Sequence, residues 1–252
     1  MNALTGLSAW TDANAFFLWI AALVIASALT LWRSRKGDAV ESRERGFAKQ
    51  SRFLVVVLGA AGLFAALAAT HRYAPLQAMD VAIGGAFALN VQAQGVARWI
   101  TLLGQPSLLA VALGMGVAAL LVFRRYSVAI LFVLMVIANG CAVRALKALF
   151  ERVRPARAEA FALGGDWSFP SGHAAGAMMV FGALGWFVAR ASSAGRRHVA
   201  AGIATVLVFA IGASRVVLEV HHASDVLAGF ALGAAHLCLL IAMTRTIEAR
   251  AR

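Results

Sequence analysis

Acidic residues are scarce in this chain: 11 Asp and Glu stand against 23 Lys and Arg, and charged residues of either sign fill only 13% of its 252 positions. A soluble domain carries roughly twice that share of charge, and with 62% hydrophobic residues the chain reads as an integral membrane protein. The two cysteines, Cys141 and Cys238, sit in or beside apolar runs. They exclude a disulfide framework and a thiolate metal site, and read as packing residues. The few carboxylates, among them Glu151, Glu159, Asp166, Glu219 and Asp225, show no Mg²⁺ or Zn²⁺ ligand spacing, so neither metal nor any other cofactor is expected. Only four prolines occur, Pro75, Pro106, Pro155 and Pro170, all outside apolar runs or at their ends. Broken helices at the midplane, and with them a transporter or channel, are disfavoured. No Lys or Arg precedes the first apolar run, so the run lacks the basic start of a signal peptide and is expected to stay as a span.

Seven runs approach the 17 to 25 apolar residues that a bilayer crossing needs: about 13–32, 53–70, 105–123, 127–146, 172–189, a short one at 199–213, and 226–243. The mixed stretch 73–104 predicts one or two helices lying in the interface. Seven crossings put most of the 23 basic residues on one face: Arg33, Arg35, Lys36, Arg43, Arg45, Lys49 and Arg52, then Arg124 and Arg125, Arg190, Arg196 and Arg197, and Arg245, Arg250 and Arg252. That face is expected to be cytoplasmic. The net charge of +12 is spread over such loops and not gathered in a soluble basic domain. It suits lipid headgroups and excludes nucleic acid as a partner.

Three segments end spans on the opposite, outer face. In "KALFERVRP", Lys147 and Arg154 are seven apart and are expected on one helix face, the chain leaving the helix near Pro155. In "PSGH", Pro170 suits a first helical turn, and Ser171 and Gly172 leave backbone N–H groups free at a helix start, an anion site with His173 at its edge. In "SRVVLEVHHASD", His221 and Asp225 are four apart, expected to share a helix face within reach of a carboxylate–imidazole hydrogen bond. Arg215 adds a third cation, a planar fork suited to phosphate oxygens. Taken singly, each has a plainer reading: headgroup snorkelling, a helix cap, a structural ion pair. Together they supply two imidazoles, one carboxylate, three cations and a helix N-terminus at one depth, which is what phosphoryl transfer requires.

Written as K-x6-R-P, P-S-G-H and S-R-x5-H-x3-D, in that order, the segments closely resemble the signature of the type 2 phosphatidic acid phosphatase family, over roughly residues 53–243. The resemblance implies an all-α, polytopic membrane bundle with a six-helix phosphatase core at 53–244. Residues 1–52 would add one N-terminal transmembrane helix and a basic cytoplasmic loop, and 245–252 a basic tail. It also implies metal-independent hydrolysis of a lipid phosphate or pyrophosphate through a phosphohistidine, at the outer face of a bacterial inner membrane. By the same resemblance His221 would be the nucleophile, Asp225 the residue that orients and activates it, and His173 the acid and then the base. Lys147, Arg154, Ser171, Gly172 and Arg215 would cradle the phosphate. Undecaprenyl pyrophosphate, phosphatidylglycerol phosphate, phosphatidic acid and lipid A phosphate all satisfy the motif. A phosphotransferase passing the group from His221 to a second lipid is the alternative. Of the neighbours, His222 points about 100° away from His221 on a helix and reads as surface or packing. Arg144, Arg152 and Arg157 read as headgroup contacts, Asp166 as a solvated loop residue, and His236 as bonded to a neighbouring helix.

Overall fold

The computed structural model of the protein describes residues 42–87, 91–155 and 167–250. The run expected at 13–32, Glu159, Asp166 and Arg157 lie outside them. The described residues form eight helices and no strand: α1 Ser42–Thr70, α2 Ala74–Gly85, α3 Val91–Leu102, α4 Pro106–Val122, α5 Tyr126–Phe150, α6 Gly172–Ala191, α7 Ala194–Val217 and α8 Ala223–Arg250. All packing below lies within residues Val55–Arg252.

Four helices, α5 to α8, are long and apolar enough to cross a bilayer. The span expected to be short is 24 residues long as α7. The run at 53–70 falls within α1, where the apolar helix Leu58–Thr70 is shorter than a span. In the stretch expected to lie in the interface, α3 packs along α7 and meets α4 at a 45° bend, so that the pair makes a fifth span if taken as one. The physical reason lies in its inward face, where Ala97 and Thr101 are buried.

At the centre α6 packs on α7 and α8, and α5 packs on α4, α6 and α8. One core cluster joins Leu131 and Phe132 of α5, Met179 and Ala183 of α6 and Leu240 of α8. The outward side chains are also apolar, among them Val111 and Met115 of α4, Ile130 and Leu134 of α5, and Ile203 and Val206 of α7. Lipid tails exert no hydrophobic drive to bring helices together, so close backbone approach must do so. Gly229 and Gly233 of α8 provide it: a Cβ on either would sit 2.5 Å from a carbonyl oxygen of the α6 side, Ser171 O and Ala175 O respectively. This contact places the start of α6 against the start of α8.

Candidate active site

The three motif segments meet where α5 ends and where α6 and α8 begin. Helix α5 stops at Phe150, because Glu151 takes a left-handed conformation (φ 46°) and returns its N–H to Lys147 O. The expectation of one helix face for Lys147 and Arg154 is therefore corrected: the break comes four residues before Pro155. Past it the chain is not helical, and Arg152 and Arg154 both turn inward while Val153 between them is exposed, as side chains of an extended chain alternate. Lys147 is buried and donates from Nζ to the Trp167 carbonyl.

His221 and Asp225 meet, but not across a helix face. His221 lies ahead of α8, in a reversal where Glu219 is left-handed (φ 53°) and the His221 N–H reaches back to Arg215 O at 3.3 Å. Asp225 occupies the first turn of α8 and accepts the backbone N–H of His222 at 2.9 Å, half of a capping box. His221 Nδ1 is 3.7 Å from Asp225 Oδ2, too far for a direct hydrogen bond. Ser168 fills the gap: its hydroxyl donates to Asp225 Oδ2 at 2.6 Å and lies 3.3 Å from His221 Nδ1. Since that O–H is committed to the carboxylate, only its lone pair faces the ring, so Nδ1 carries the proton and Nε2 the lone pair. Arg154 Nη1 sits 3.4 Å from Nε2, as a donor to that lone pair requires, and also donates to Val220 O at 2.9 Å. Burial lowers the His221 pKa from 6.5 to about 4; Asp225 opposes the fall and Arg215 and Arg154 add to it. The imidazole is thus the free base at neutral pH.

Helix α6 starts two residues later than a first turn at Pro170 predicts: Ser171 is its N-cap, and Pro170 lies ahead of it in a cis Phe169–Pro170 peptide. The Ser171 N–H donates to Asp225 O at 2.9 Å. Its hydroxyl is buried and bonds no other protein atom, and the same holds for Arg215 Nε. Arg215 is fixed through Nη1, which donates to Thr101 Oγ1 of α3 at 2.6 Å. His173, in the first turn of α6, lies within electrostatic reach of Arg215, His221, Arg154 and Lys147. The site residues expected from the motifs thus gather in one place, and a Cβ added to Gly172 would stand 3.5 Å from Val143 Cγ1.

Two readings of neighbouring residues are overturned. Arg152 is not a headgroup contact: it is 7% exposed and bridges two carboxylates, Asp225 Oδ1 at 2.6 Å and Asp80 Oδ2 at 2.8 Å, while Nη1 also donates to Ser224 Oγ at 2.7 Å. Asp225 is accordingly shared and not committed to His221 alone. His236 bonds Leu232 O of its own helix, at 2.9 Å, and not a neighbouring one. Sequence reasoning missed Asp80, Arg152, Ser168 and Thr101. A lone carboxylate in the apolar stretch "LQAMDVAIGG" was a usable signal, since such a residue needs a partner. Ser168 and Thr101 had none. Among the described residues no group of three or more His, Cys, Asp or Glu could hold a metal ion.

Comparison with known proteins identifies the family. The family model of the PAP2 superfamily matches residues 128–248, which span all three motifs. Phosphatidylglycerophosphatase B of Bacillus subtilis (strain 168) is 33% identical over 177 residues, 68% of this chain and 85% of that protein. The crystal structure of a transmembrane PAP2 type phosphatidylglycerolphosphate phosphatase from Bacillus subtilis superposes with a TM-score of 0.70 at 28% identity, covering 77% of this chain and 98% of that one.

Proposed function

We infer, from the premise that this chain belongs to the PAP2 superfamily and is a membrane lipid phosphatase, that it hydrolyses a lipid phosphomonoester through a phosphohistidine on His221. The observation that carries the reading is the polarity of that ring: Nδ1 faces Ser168 and Asp225, and the Nε2 lone pair faces Arg154. In the first step Nε2 attacks phosphorus, the bond to the lipid oxygen breaks, and His173 gives that oxygen its proton. In the second step His173 takes a proton from water, the resulting hydroxide attacks the phosphohistidine, and inorganic phosphate leaves with His221 restored. Asp225, through Ser168, stabilises the charge that the ring gains. Lys147, Arg154, Arg215, the Ser171 hydroxyl and the Gly172 N–H hold the phosphoryl oxygens. The buried Ser171 Oγ and Arg215 Nε, donors that bond no protein atom, support this cradle. No step draws on a metal ion.

Phosphatidylglycerol phosphate is the substrate favoured here, because the matched Bacillus subtilis protein is named for it. The site faces the outer side of a bacterial inner membrane, with residues 245–252 as a cytoplasmic tail; the boundary expected between a basic loop and the core at 52/53 falls inside helix α1, Ser42–Thr70, so 42–52 are helix and not loop. The charge asymmetry of the loops supports this orientation. Purified protein offered phosphatidylglycerol phosphate, phosphatidic acid, undecaprenyl pyrophosphate and lipid A phosphate, with EDTA present, should release phosphate, fastest from the first. Release from none of them would overturn the reading, and so would release that needs added Mg²⁺.

A further inference from the structure

Behind the proposed nucleophile lies a buried group of charges that the three motifs do not contain as a set. Asp80, on α2, is 2% exposed, and Asp225 and Ser224, on α8, are fully buried. Arg152 reaches both carboxylates. Asp80 accepts from three donors: Arg152 Nη2 on Oδ2 at 2.8 Å, the Ser224 hydroxyl on the same oxygen, and the Ser224 N–H on Oδ1 at 2.9 Å. Asp225 accepts from Arg152, Ser168 and the His222 N–H. Oxygens that only accept are those of ionised carboxylates, and both lie at the N-terminus of α8, where the helix favours negative charge.

Two carboxylates and one guanidinium leave the group one negative charge. An Arg152–Asp225 pair alone would sum to zero, and at this depth the guanidinium would cancel most of the field that Asp225 offers the ring. With Asp80 drawing on the other arm of Arg152, the group keeps negative charge behind His221, where the imidazole turns cationic once Nε2 bonds to phosphorus. We propose that Asp80 is a positioning residue for phosphoryl transfer: by sharing Arg152 it holds Asp225 in place behind Ser168 and His221 and preserves its charge for the imidazole. The proposal rests on His221 as the nucleophile. It gives α2, which lies outside the motifs, a part in the chemistry.

Asp80→Asn tests it with little change of shape, since the amide oxygen can still accept the Ser224 N–H. Two quantities are measured on the full chain in detergent micelles. The first is steady-state hydrolysis of phosphatidylglycerol phosphate. The second is the His221 titration midpoint, read by NMR of histidine-labelled protein without substrate; Arg154, Arg215, Lys147, His173 and Asp225 set it alongside Asp80. The variant should lose about 10- to 100-fold in kcat, the range found when the hydrogen-bond partners behind metal-ligating histidines and carboxylates are removed. KM should stay within about two-fold, since Asp80 touches no phosphoryl oxygen. The His221 midpoint should fall below the wild-type value, because a negative charge has been removed. Unchanged kcat would overturn the proposal. So would a loss of kcat with an unmoved midpoint, which would make Asp80 a helix cap and no more. Arg152→Lys is the second variant: one ammonium cannot bridge both carboxylates as the planar fork does, so kcat should fall by a similar factor, and full activity would overturn the proposal even if Asp80→Asn did not fold. The midpoint needs no substrate. A protein that hydrolysed no lipid phosphate would refute the function proposed above, while the midpoint would still report whether the Asp80 charge acts on His221.

Discussion

The two ends of the bundle each hold a three-member ion group, a carboxylate between two arginines at one end and an arginine between two carboxylates at the other. At the end remote from the site, Glu248 of α8 pairs with Arg125, just ahead of α5, and with Arg190 in the last turn of α6. The arginine side chains are 50% and 39% exposed. At the site end of the same three helices, Arg152 and its two carboxylates are 7% exposed or less. An exposed pair of the first kind contributes about 0–1 kcal/mol and is screened by salt. A buried group of the second kind gives no net stability by right, since desolvation offsets its Coulombic gain, but losing one partner costs about 3–5 kcal/mol. Among the described residues the buried charges lie at the end that holds His221, and under the mechanism proposed above their burial serves chemistry and not stability.

The largest effect should come from the ring itself. His221→Ala should lower phosphate release by about 10,000-fold or more, the scale of losing a covalent nucleophile, while His222→Ala keeps most of it, because only the His222 backbone N–H contacts the Asp225 carboxylate. Equal loss in the two variants, assayed side by side, would remove His221 from its role. The same ring sets a pH limit. With its pKa held to about 4 by burial, His221 keeps its lone pair above that value and loses it as pH falls through it, so it cannot be the group that causes an activity loss near pH 6.5.

Next comes the group behind it. Arg152→Ala would leave Asp80 and Asp225 buried without a cation and should destabilise the protein by about 3–5 kcal/mol, read as a fall in the denaturation midpoint in detergent. A loss below about 1 kcal/mol would erase the contrast between the two ends.

How much of this the chain discloses before folding depends on distance along it. The motif residues were legible because each sits at the end of an apolar run, and the helices that bring them together are apolar enough to recognise. Arg152 and Arg154 were indistinguishable in "KALFERVRP", because their different tasks follow from where α5 breaks. A left-handed Glu151 sets that break, and Pro155, the visible signal, marks it four residues late. Asp80 reaches Arg152 and Ser224, and Ser168 reaches Asp225, only through tertiary contacts, which local periodicity does not encode. Thr101 likewise meets Arg215 only when α3 packs on α7.

A smaller effect is expected at Gly104, between α3 and α4. A Cβ there would stand 2.9 Å from Cδ2 of His173 and 2.6 Å from Ile211 Cγ2, so Gly104→Ala must push one or both aside. Misplacement of a reacting group by about 1 Å can cost 100-fold in rate. The expected outcome is therefore a loss of up to about 100-fold in kcat with little change in the denaturation midpoint, and unaltered kcat would mean that the His173 ring has room to yield.

The smallest effect belongs to the remote end, and it completes the comparison. Glu248→Gln removes the acceptor charge shared by Arg125 and Arg190, yet all three side chains reach solvent, and Arg190 keeps its stacking over the Trp186 ring at 5.4 Å. Water can rehydrate both guanidinium groups once the carboxylate is gone. The change should lower stability by less than about 1 kcal/mol at low ionic strength and by still less in 1 M salt, where charges farther apart than about 3 Å are screened. Activity should be unaffected, because α6 and α8 remain joined at their other ends through Gly229 and Gly233. A cost near that of Arg152→Ala, persisting in salt, would show that burial is not what separates the two ends.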